Sequence, residues 1–285
     1  SIAGIQYQKE KMVATNDPEN YQTDIYLNSV YIDPSGFNFN TGLRYNIHQA
    51  YGGHLIYSLN PSFSFNLDEN YQMKLMSSYS KAFIAPSLYQ LYDPSYGNKS
   101  LEPENNLSFE LGFEIRSTQS VLNIVYFNRK EKPTLIFNIT PTDSKPYGGY
   151  DNSDRQIIYR GLEFAYDFEL FEKAKTRLNY VFTETTFGDL RSIPKHSISG
   201  LIDIPITVKT YLNLIGQFTG NRIANDYTEL DPYSLFTLQI NYQLEKLNTN
   251  LFFSIFNLFD TQYVIIPQYQ TRGRNIMMGL TVNLF

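Results

Sequence analysis

The stretch SYSKAFIAPSLYQLYDPSYGNKSLEPENNLSFELG, from Ser78 to Gly112, contains two strand-like segments separated by a long loop rich in tyrosine, proline and serine. The second segment alternates most regularly. Because successive side chains of a strand point to opposite faces, it has one apolar and one polar, charged face. The apolar face consists of Leu107, Phe109, Leu111, Phe113 and Ile115, and the polar face of Ser108, Glu110, Gly112, Glu114 and Arg116.

The same alternation recurs along the whole chain and predicts an all-β fold of about fourteen strands. It is clearest in the segments Phe37–Ile47, Leu55–Leu67, Leu162–Leu170 and Phe236–Leu244. The predicted connections alternate between long and short. Such meanders are typical of transmembrane antiparallel β-barrels, whereas the alternation within a strand fits a soluble sandwich equally well. The long connections are 84–103, 133–155, 188–196, 221–232 and 260–271.

Composition narrows the class of protein. The chain has 24 tyrosines and 21 phenylalanines, and aromatic residues favour strands and amphipathic boundaries. A net charge of −5 argues against nucleic acid as a partner, which would need a basic face. With no cysteine, disulfide and thiolate chemistry are excluded. No run of 18 apolar residues predicts a membrane helix, and no signal peptide opens the chain, so we expect a mature or partial sequence.

The opening stretch also carries a longer pattern: S-x-x-F-x-A-P-S-L-x-x-L-Y, then G-N-x-x-L-x-P-E, then E-L-G. This pattern resembles a signature of TonB-dependent outer-membrane receptors, and its length makes it far more specific than a short motif. The matching residues are Ser80, Phe83, Ala85, Pro86, Ser87, Leu88, Leu91, Tyr92, Gly97, Asn98, Leu101, Pro103, Glu104, Glu110, Leu111 and Gly112.

The resemblance continues towards the end of the chain. Arg160-Gly161-Leu162-Glu163 resembles a strand start of the family, and Arg191–His196 resembles its R-x-P-x-H element. Asn257–Asp260 with Tyr263, then Gly273-Arg274 and the terminal Phe285, is similar to the end of the barrel. The last strand departs from the pattern, because its apolar residues (Met278, Leu280, Val282 and Leu284) are one position out of step with Phe285, as a bulge or an irregular last residue would explain.

The resemblance implies a barrel of 22 strands preceded by a plug domain. We therefore predict that residues 1–285 are a barrel portion, without the plug and the first barrel strands. It further implies the bacterial outer membrane, contact with its lipid, insertion by the barrel assembly machinery, and coupling to the TonB complex through the plug. The implied function is active uptake of a metal chelate such as a ferric siderophore or cobalamin.

Two other functions fit the strand pattern. One is a self-contained fourteen-stranded barrel that acts as a passive channel or as a transporter of lipid ligands. The other is a soluble β-structural or adhesive module. An enzyme is not predicted, because the sequence contains neither a nucleophile motif nor a phosphate-binding glycine loop. No cofactor is expected.

Loop tyrosines and arginines are the candidate ligand-binding residues, because aromatic and guanidinium groups suit a bulky, often anionic chelate. Tyrosines near strand ends also form the interfacial girdle of barrels, which is the competing interpretation for each one. The candidates are Tyr89, Tyr92, Tyr96, Tyr147, Tyr150, Arg155, Tyr227 and Arg272.

No metal site is predicted. Asp151, Asn152 and Asp154 form an oxygen-rich cluster, but its spacing fits a polar turn better than a calcium loop. His48, His54 and His196 lack metal-ligand spacing, and a structural role is predicted for His196. Charged residues on the polar faces are interpreted as a hydrated barrel wall. These are Glu110, Glu114, Arg116, Glu163, Asp167 and Glu169.

Overall fold

The computed structural model describes residues 1–13, 17–141, 145–153, 155–171, 173–186, 193–224 and 227–282. Fourteen long strands form one antiparallel sheet in which each strand pairs with its neighbours along the chain, apart from short hairpins in two loops. The all-β fold and the predicted strand number are confirmed. The strands are β1 (Ile2–Lys11), β2 (Glu19–Ile32), β3 (Phe37–His48), β4 (Gly52–Asn66), β5 (Gln72–Ile84), β6 (Glu104–Arg116), β7 (Ser120–Glu131), β8 (Thr134–Asn138), β9 (Gly149–Ser153), β10 (Ile157–Leu170), β11 (Ala174–Thr185), β12 (His196–Thr207), β13 (Thr210–Thr219), β14 (Arg222–Ile223), β15 (Glu229–Leu230), β16 (Tyr233–Leu244), β17 (Thr249–Phe256) and β18 (Asn275–Val282).

The connections of the long strands separate into two ends of the sheet. At the short-turn end, six connections contain between two and five residues each: 33–36, 67–71, 117–119, 171–173, 208–209 and 245–248. The long-loop end carries 12–18, 49–51, 85–103, 132–156, 186–195, 220–232 and 257–274. The predicted alternation is therefore confirmed, with 49–51 as a tight turn among longer loops.

One face of the sheet is apolar and open. Leu75 pairs with Phe113, Phe113 with Ile124 and Ile124 with Phe164. The strand register therefore places the apolar residues of neighbouring strands on the same face of the sheet. Among the described residues only five apolar side chains are buried, and none lies in the middle of a long strand. A soluble sandwich would bury this face between two sheets, whereas a membrane barrel turns it towards lipid.

The opposite face is polar and contains ion pairs. Lys74 pairs with Glu114 in the register of β5 and β6, and Arg116 Nη2 lies 2.9 Å from Glu114 Oε1. On β10 and β11, Arg177 Nε donates to Asp167 Oδ1 at 2.6 Å. These groups are partly exposed, so each pair contributes little to stability, as expected for a hydrated wall.

The two outermost strands have free edges. β1 pairs with β2, and β18 pairs with β17. No ladder joins β1 to β18 within the residues described, so the fourteen strands form an open sheet there.

Two loop elements differ from the sequence interpretation. Leu135–Phe137 lies in the predicted connection 133–155, but it belongs to β8, which pairs with β9 as a separate hairpin. Three consecutive apolar residues do not define a strand by their spacing, and the partner strand lies beyond a connection that the sequence pattern does not reveal. The loop 85–103 contains a helix, α1 (Leu88–Tyr92), which the sequence interpretation missed.

A capping box starts α1. The Ser87 side chain accepts from Gln90 N at 3.2 Å, and Ser87 N donates to Gln90 Oε1 at 2.8 Å. The S-x-x-Q spacing was the available signal. No helix in the described ranges is long and apolar enough to cross a membrane.

Candidate functional site

The two longest loops at the long-loop end are joined through their main chains. Tyr150 N, in β9, donates to Tyr96 O at 3.0 Å, and the Asn98 side chain donates to Tyr150 O at 3.2 Å. Because the two residues come from loops 85–103 and 132–156, these bonds connect the loops into one unit.

A second connection is reciprocal. Glu102 N donates to Asn152 Oδ1 at 2.7 Å, and Asn152 Nδ2 donates back to Glu102 O at 3.0 Å. Asn152 therefore acts as a clamp between the loops. Its neighbour Asp151 accepts from Asn152 N, and Asp154 lies outside the described residues. In the part of the chain that the structure describes, no group of three or more ligating side chains could hold a metal ion.

Four rings from the joined loops form what we call the aromatic cluster: Tyr89, Tyr96, Phe137 and Tyr150. The Tyr89 and Tyr150 rings are 6.1 Å apart, Tyr96 and Phe137 5.6 Å, and Phe137 and Tyr150 5.2 Å. Tyr89 remains 45% exposed and the other three rings are half-buried, so the cluster opens to solvent at Tyr89. Burial, with the nearby Asp93 charge, raises the pKa of the Tyr89 phenol, which therefore stays neutral at physiological pH.

The turn after α1 positions Tyr96. Asp93 Oδ1 accepts from both Ser95 N and Tyr96 N at 2.9 Å, an Asx turn that fixes the chain direction. Gly97 N then donates to Asp93 O at 2.9 Å. The local hydrogen bonds of the sequence D-P-S-Y-G thus fix the position of Tyr96.

The structure brings three of the eight predicted ligand-binding residues together and leaves the other five apart. Tyr89, Tyr96 and Tyr150 meet in the aromatic cluster, together with Phe137, which the sequence interpretation missed as a site residue. Phe137 pairs with Tyr150 in the register of β8 and β9, a contact that the sequence alone does not reveal.

The other five candidates lie elsewhere. The Tyr92 ring packs under Lys99 Nζ at 5.4 Å, and Tyr147 is 70% exposed. Arg155 lies between β9 and β10, while Tyr227 and Arg272 belong to the loops 220–232 and 257–274.

The loop 257–274 is held at its base by the N-L-F-D segment. Asn257 Nδ2 donates to Thr261 O at 3.0 Å, and Thr261 N donates to Asn257 Oδ1 at 2.9 Å. Asp260 Oδ1 accepts from Arg274 N at 2.6 Å, which closes the loop. A guanidinium N–H of the buried Arg222 donates to Val264 O and links this loop to 220–232.

The R-x-P-x-H element is described only in part, because Arg191 and Ser192 lie outside the described residues, as does Phe285. His196 starts β12, with Nδ1 2.9 Å from the Tyr180 hydroxyl and its ring 5.3 Å from that of Phe182. These contacts join β11 to β12 and fit the predicted structural role.

Comparison with known proteins agrees with this architecture. Residues 4–258 match the family model "TonB dependent receptor-like, beta-barrel". The chain belongs to this family. Its relatives are outer-membrane transporters and receptors of Gram-negative bacteria rather than enzymes, and the family places the chain in the outer membrane.

Two curated relatives illustrate the similarity. The vitamin B12 transporter BtuB of Vibrio cholerae is 31% identical over 247 residues, which cover 84% of this chain and 38% of that protein. The ferric enterobactin receptor of Pseudomonas aeruginosa is 26% identical over 266 residues, covering 77% of this chain and 35% of the receptor. The chain thus spans less than half the length of these family members.

Solved structures share the fold. The siderophore receptor PirA from Pseudomonas aeruginosa superposes with a TM-score of 0.76 at 20% identity, over 98% of this chain and 50% of PirA. The copper transporter OprC gives a TM-score of 0.78 at 11% identity, over 98% of this chain and 53% of OprC. At these identities the likeness concerns the family fold alone.

Proposed function

We propose that residues 1–285 are the barrel portion of a TonB-dependent transporter that takes up a metal chelate, such as a ferric siderophore or cobalamin, across the outer membrane. The observation that carries this proposal is the aromatic cluster on two joined loops, which opens to solvent at Tyr89. The names of the relatives, a vitamin B12 transporter and a ferric enterobactin receptor, support the class of substrate.

The free edges support a larger barrel. Unpaired N–H and C=O groups are costly in lipid, so β1 and β18 need partners inside a membrane. In this proposal, further strands complete a barrel of 22 strands, as in large outer-membrane transporters. A plug domain outside this sequence makes the contact with TonB, and the barrel assembly machinery inserts the protein.

The aromatic cluster supplies the capture surface. Ring faces and edges pack against a flat, bulky chelate, and neutral phenols add hydrogen bonds at its polar rim. Tyr92, Tyr147, Arg155, Tyr227 and Arg272 would extend this surface, with the two guanidinium groups suited to an anionic ligand.

Removing one ring of the cluster should weaken binding. We expect Tyr150→Ala in the full-length receptor to raise the Kd for the chelate about fivefold, the size expected when aromatic contacts worth about 1 kcal/mol are lost. Tyr269→Ala removes a tyrosine that is 72% exposed on loop 257–274, and it should leave the Kd unchanged. Equal effects of the two variants would contradict a role for the aromatic cluster.

The substrate class is tested by titrating the purified full-length receptor with a ferric catecholate, cobalamin and a neutral oligosaccharide, each followed by quenching of intrinsic fluorescence. Tight binding of one of the two chelates is expected. Firm binding of the oligosaccharide without binding of either chelate would overturn the proposed substrate class.

The alternative is a closed fourteen-stranded channel, and pairing of the outermost strands distinguishes it. With Gln6→Cys and Thr281→Cys, or neighbouring pairs on β1 and β18, we expect no disulfide in the folded protein, because the two edges are not paired. Efficient cross-linking at any register, with ion conduction in planar bilayers, would favour the passive channel instead.

A further inference from the structure

His48 is buried at the end of β3, where the sheet meets the long loops. Its side chain is 3% exposed. Nδ1 accepts a hydrogen bond from Ala50 N at 3.2 Å, and Nε2 lies 2.8 Å from the side-chain amide of Asn20. Because an N–H donates to Nδ1, this nitrogen carries no proton and the imidazole is neutral.

A short chain of contacts leads from His48 to the loop 85–103. The His48 ring is 4.9 Å from the ring of Tyr51, whose hydroxyl donates to Leu101 O at 2.9 Å. Leu101 is only 2% exposed, and the next residue, Glu102, is held by the Asn152 clamp. Burial raises the pKa of the Tyr51 phenol, so this hydroxyl keeps the proton that it donates.

The neighbours of His48 include few titratable groups. The titratable groups that interact electrostatically with the His48 ring are His54 of β4 and Glu10 of β1. The Tyr51 ring packs against it from the turn 49–51. The facing residues on the other elements are neutral: Gln22 of β2, its cross-strand partner, and Phe83 of β5.

The two histidines differ in what protonation does to their bonds. His54 Nε2 donates to Tyr51 O at 2.9 Å, since a carbonyl can only accept, and a second proton on Nδ1 leaves that bond intact. For His48, a second proton on Nδ1 would face the N–H of Ala50, so two donors would meet in a buried site. The hydrogen bond would be lost, and the turn would have to open.

We propose that His48 is a positioning residue, which holds the loop 85–103 on the barrel rim through Tyr51 only while its imidazole is neutral. Burial and the neighbouring His54 hold the pKa of His48 below the value of about 6.5 that imidazole has in water, so release of the loop needs acid below that pH. Release loosens the platform of the aromatic cluster and weakens capture of the ligand. This last consequence rests on the proposed function, whereas the release itself does not.

Hydrogen exchange at the Leu101–Glu102 amides tests the release directly and needs no ligand. The full-length receptor in detergent is compared with His48→Gln at pH 5.0 and at pH 7.5, so that intrinsic exchange rates cancel at each pH. We expect equal exchange at pH 7.5 and about tenfold faster exchange of the unmodified protein at pH 5.0, the effect of losing one hydrogen bond of about 1.4 kcal/mol. Glutamine keeps an acceptor for Ala50 N but cannot titrate.

Two further variants complete the test. His196→Gln, at another rim position, should retain the pH dependence of the unmodified protein. Tyr51→Phe removes the bond to Leu101 O, so it should speed exchange at both pH values and abolish the pH dependence, and this loss decides the question if His48→Gln does not fold. Identical pH profiles of the unmodified protein and His48→Gln, or no effect of Tyr51→Phe, would overturn the proposal. A pH-dependent loop in a receptor that binds no chelate would overturn only the proposed function.

Discussion

Replacing Gly161 with alanine is expected to destabilise the full-length receptor by roughly 1–3 kcal/mol, the usual cost of overpacking a well-packed site. Gly161 lies in β10, paired with Phe127 of β7 and Thr183 of β11. A Cβ atom there would collide with the carbonyl oxygen of Phe182 and come within 2.7 Å of Phe127 Cζ. The carbonyl belongs to the main chain, so only a shift of the strand could relieve the collision.

The matched control is Gly200→Ala on β12. A Cβ atom at Gly200 would meet nothing closer than 3.8 Å, so this variant should unfold like the unmodified protein. Unfolding is followed by urea titration in detergent, with the gel mobility of the folded form as readout. A Gly161→Ala midpoint equal to that of Gly200→Ala would show that β11 can move away at no cost.

The close approach at Gly161 is a physical reason for the glycine in the R-G-L-E segment. The glycine is required because the main chain of β11 and a phenylalanine ring of β7 approach the same point on β10. Sequence pattern located the segment, but only the three-dimensional register identifies what the missing side chain makes room for.

The strands could be predicted because alternation is a local property. The expected segments at Phe37–Ile47 and Phe236–Leu244 lie inside the observed β3 and β16. In a membrane barrel every second residue of a strand faces lipid, so the alternation can be read from each strand alone, without knowledge of its neighbours. The alternation of long and short connections followed from the same boundaries.

The candidate site could be predicted only in part. Three of the eight candidates meet because the Asn152 clamp and the bond from Tyr150 N to Tyr96 O join residues of two loops that are distant in sequence, with Glu102 and Asn152 separated by 50 positions. Hydrogen bonds between two distant loops produce no periodic pattern in the sequence. Phe137 was missed for this reason, and the contacts of His48 were missed because an isolated histidine carries no motif.

The second large effect is expected at Asn257, whose role combines a backbone conformation with side-chain bonds. Its φ is +50°, in the left-handed region that favours glycine and asparagine, and its side chain is 6% exposed. Its amide bonds to both the N–H and the carbonyl of Thr261, and Nδ2 also reaches Arg272 O at 3.5 Å. Alanine removes all of these bonds and is itself disfavoured in this conformation.

We expect Asn257→Ala to lower the free energy of unfolding by roughly 2–4 kcal/mol, from the buried groups left unpaired and the left-handed backbone together. Asn257→Gly removes the same bonds without the backbone penalty, so it should recover about 1 kcal/mol of that loss. Both are measured by the same urea titration. If the alanine variant keeps the original midpoint, the side-chain bonds do not hold the loop 257–274. If glycine is no better than alanine, the left-handed conformation contributes nothing, and the loss comes entirely from the broken bonds to Thr261 and Arg272.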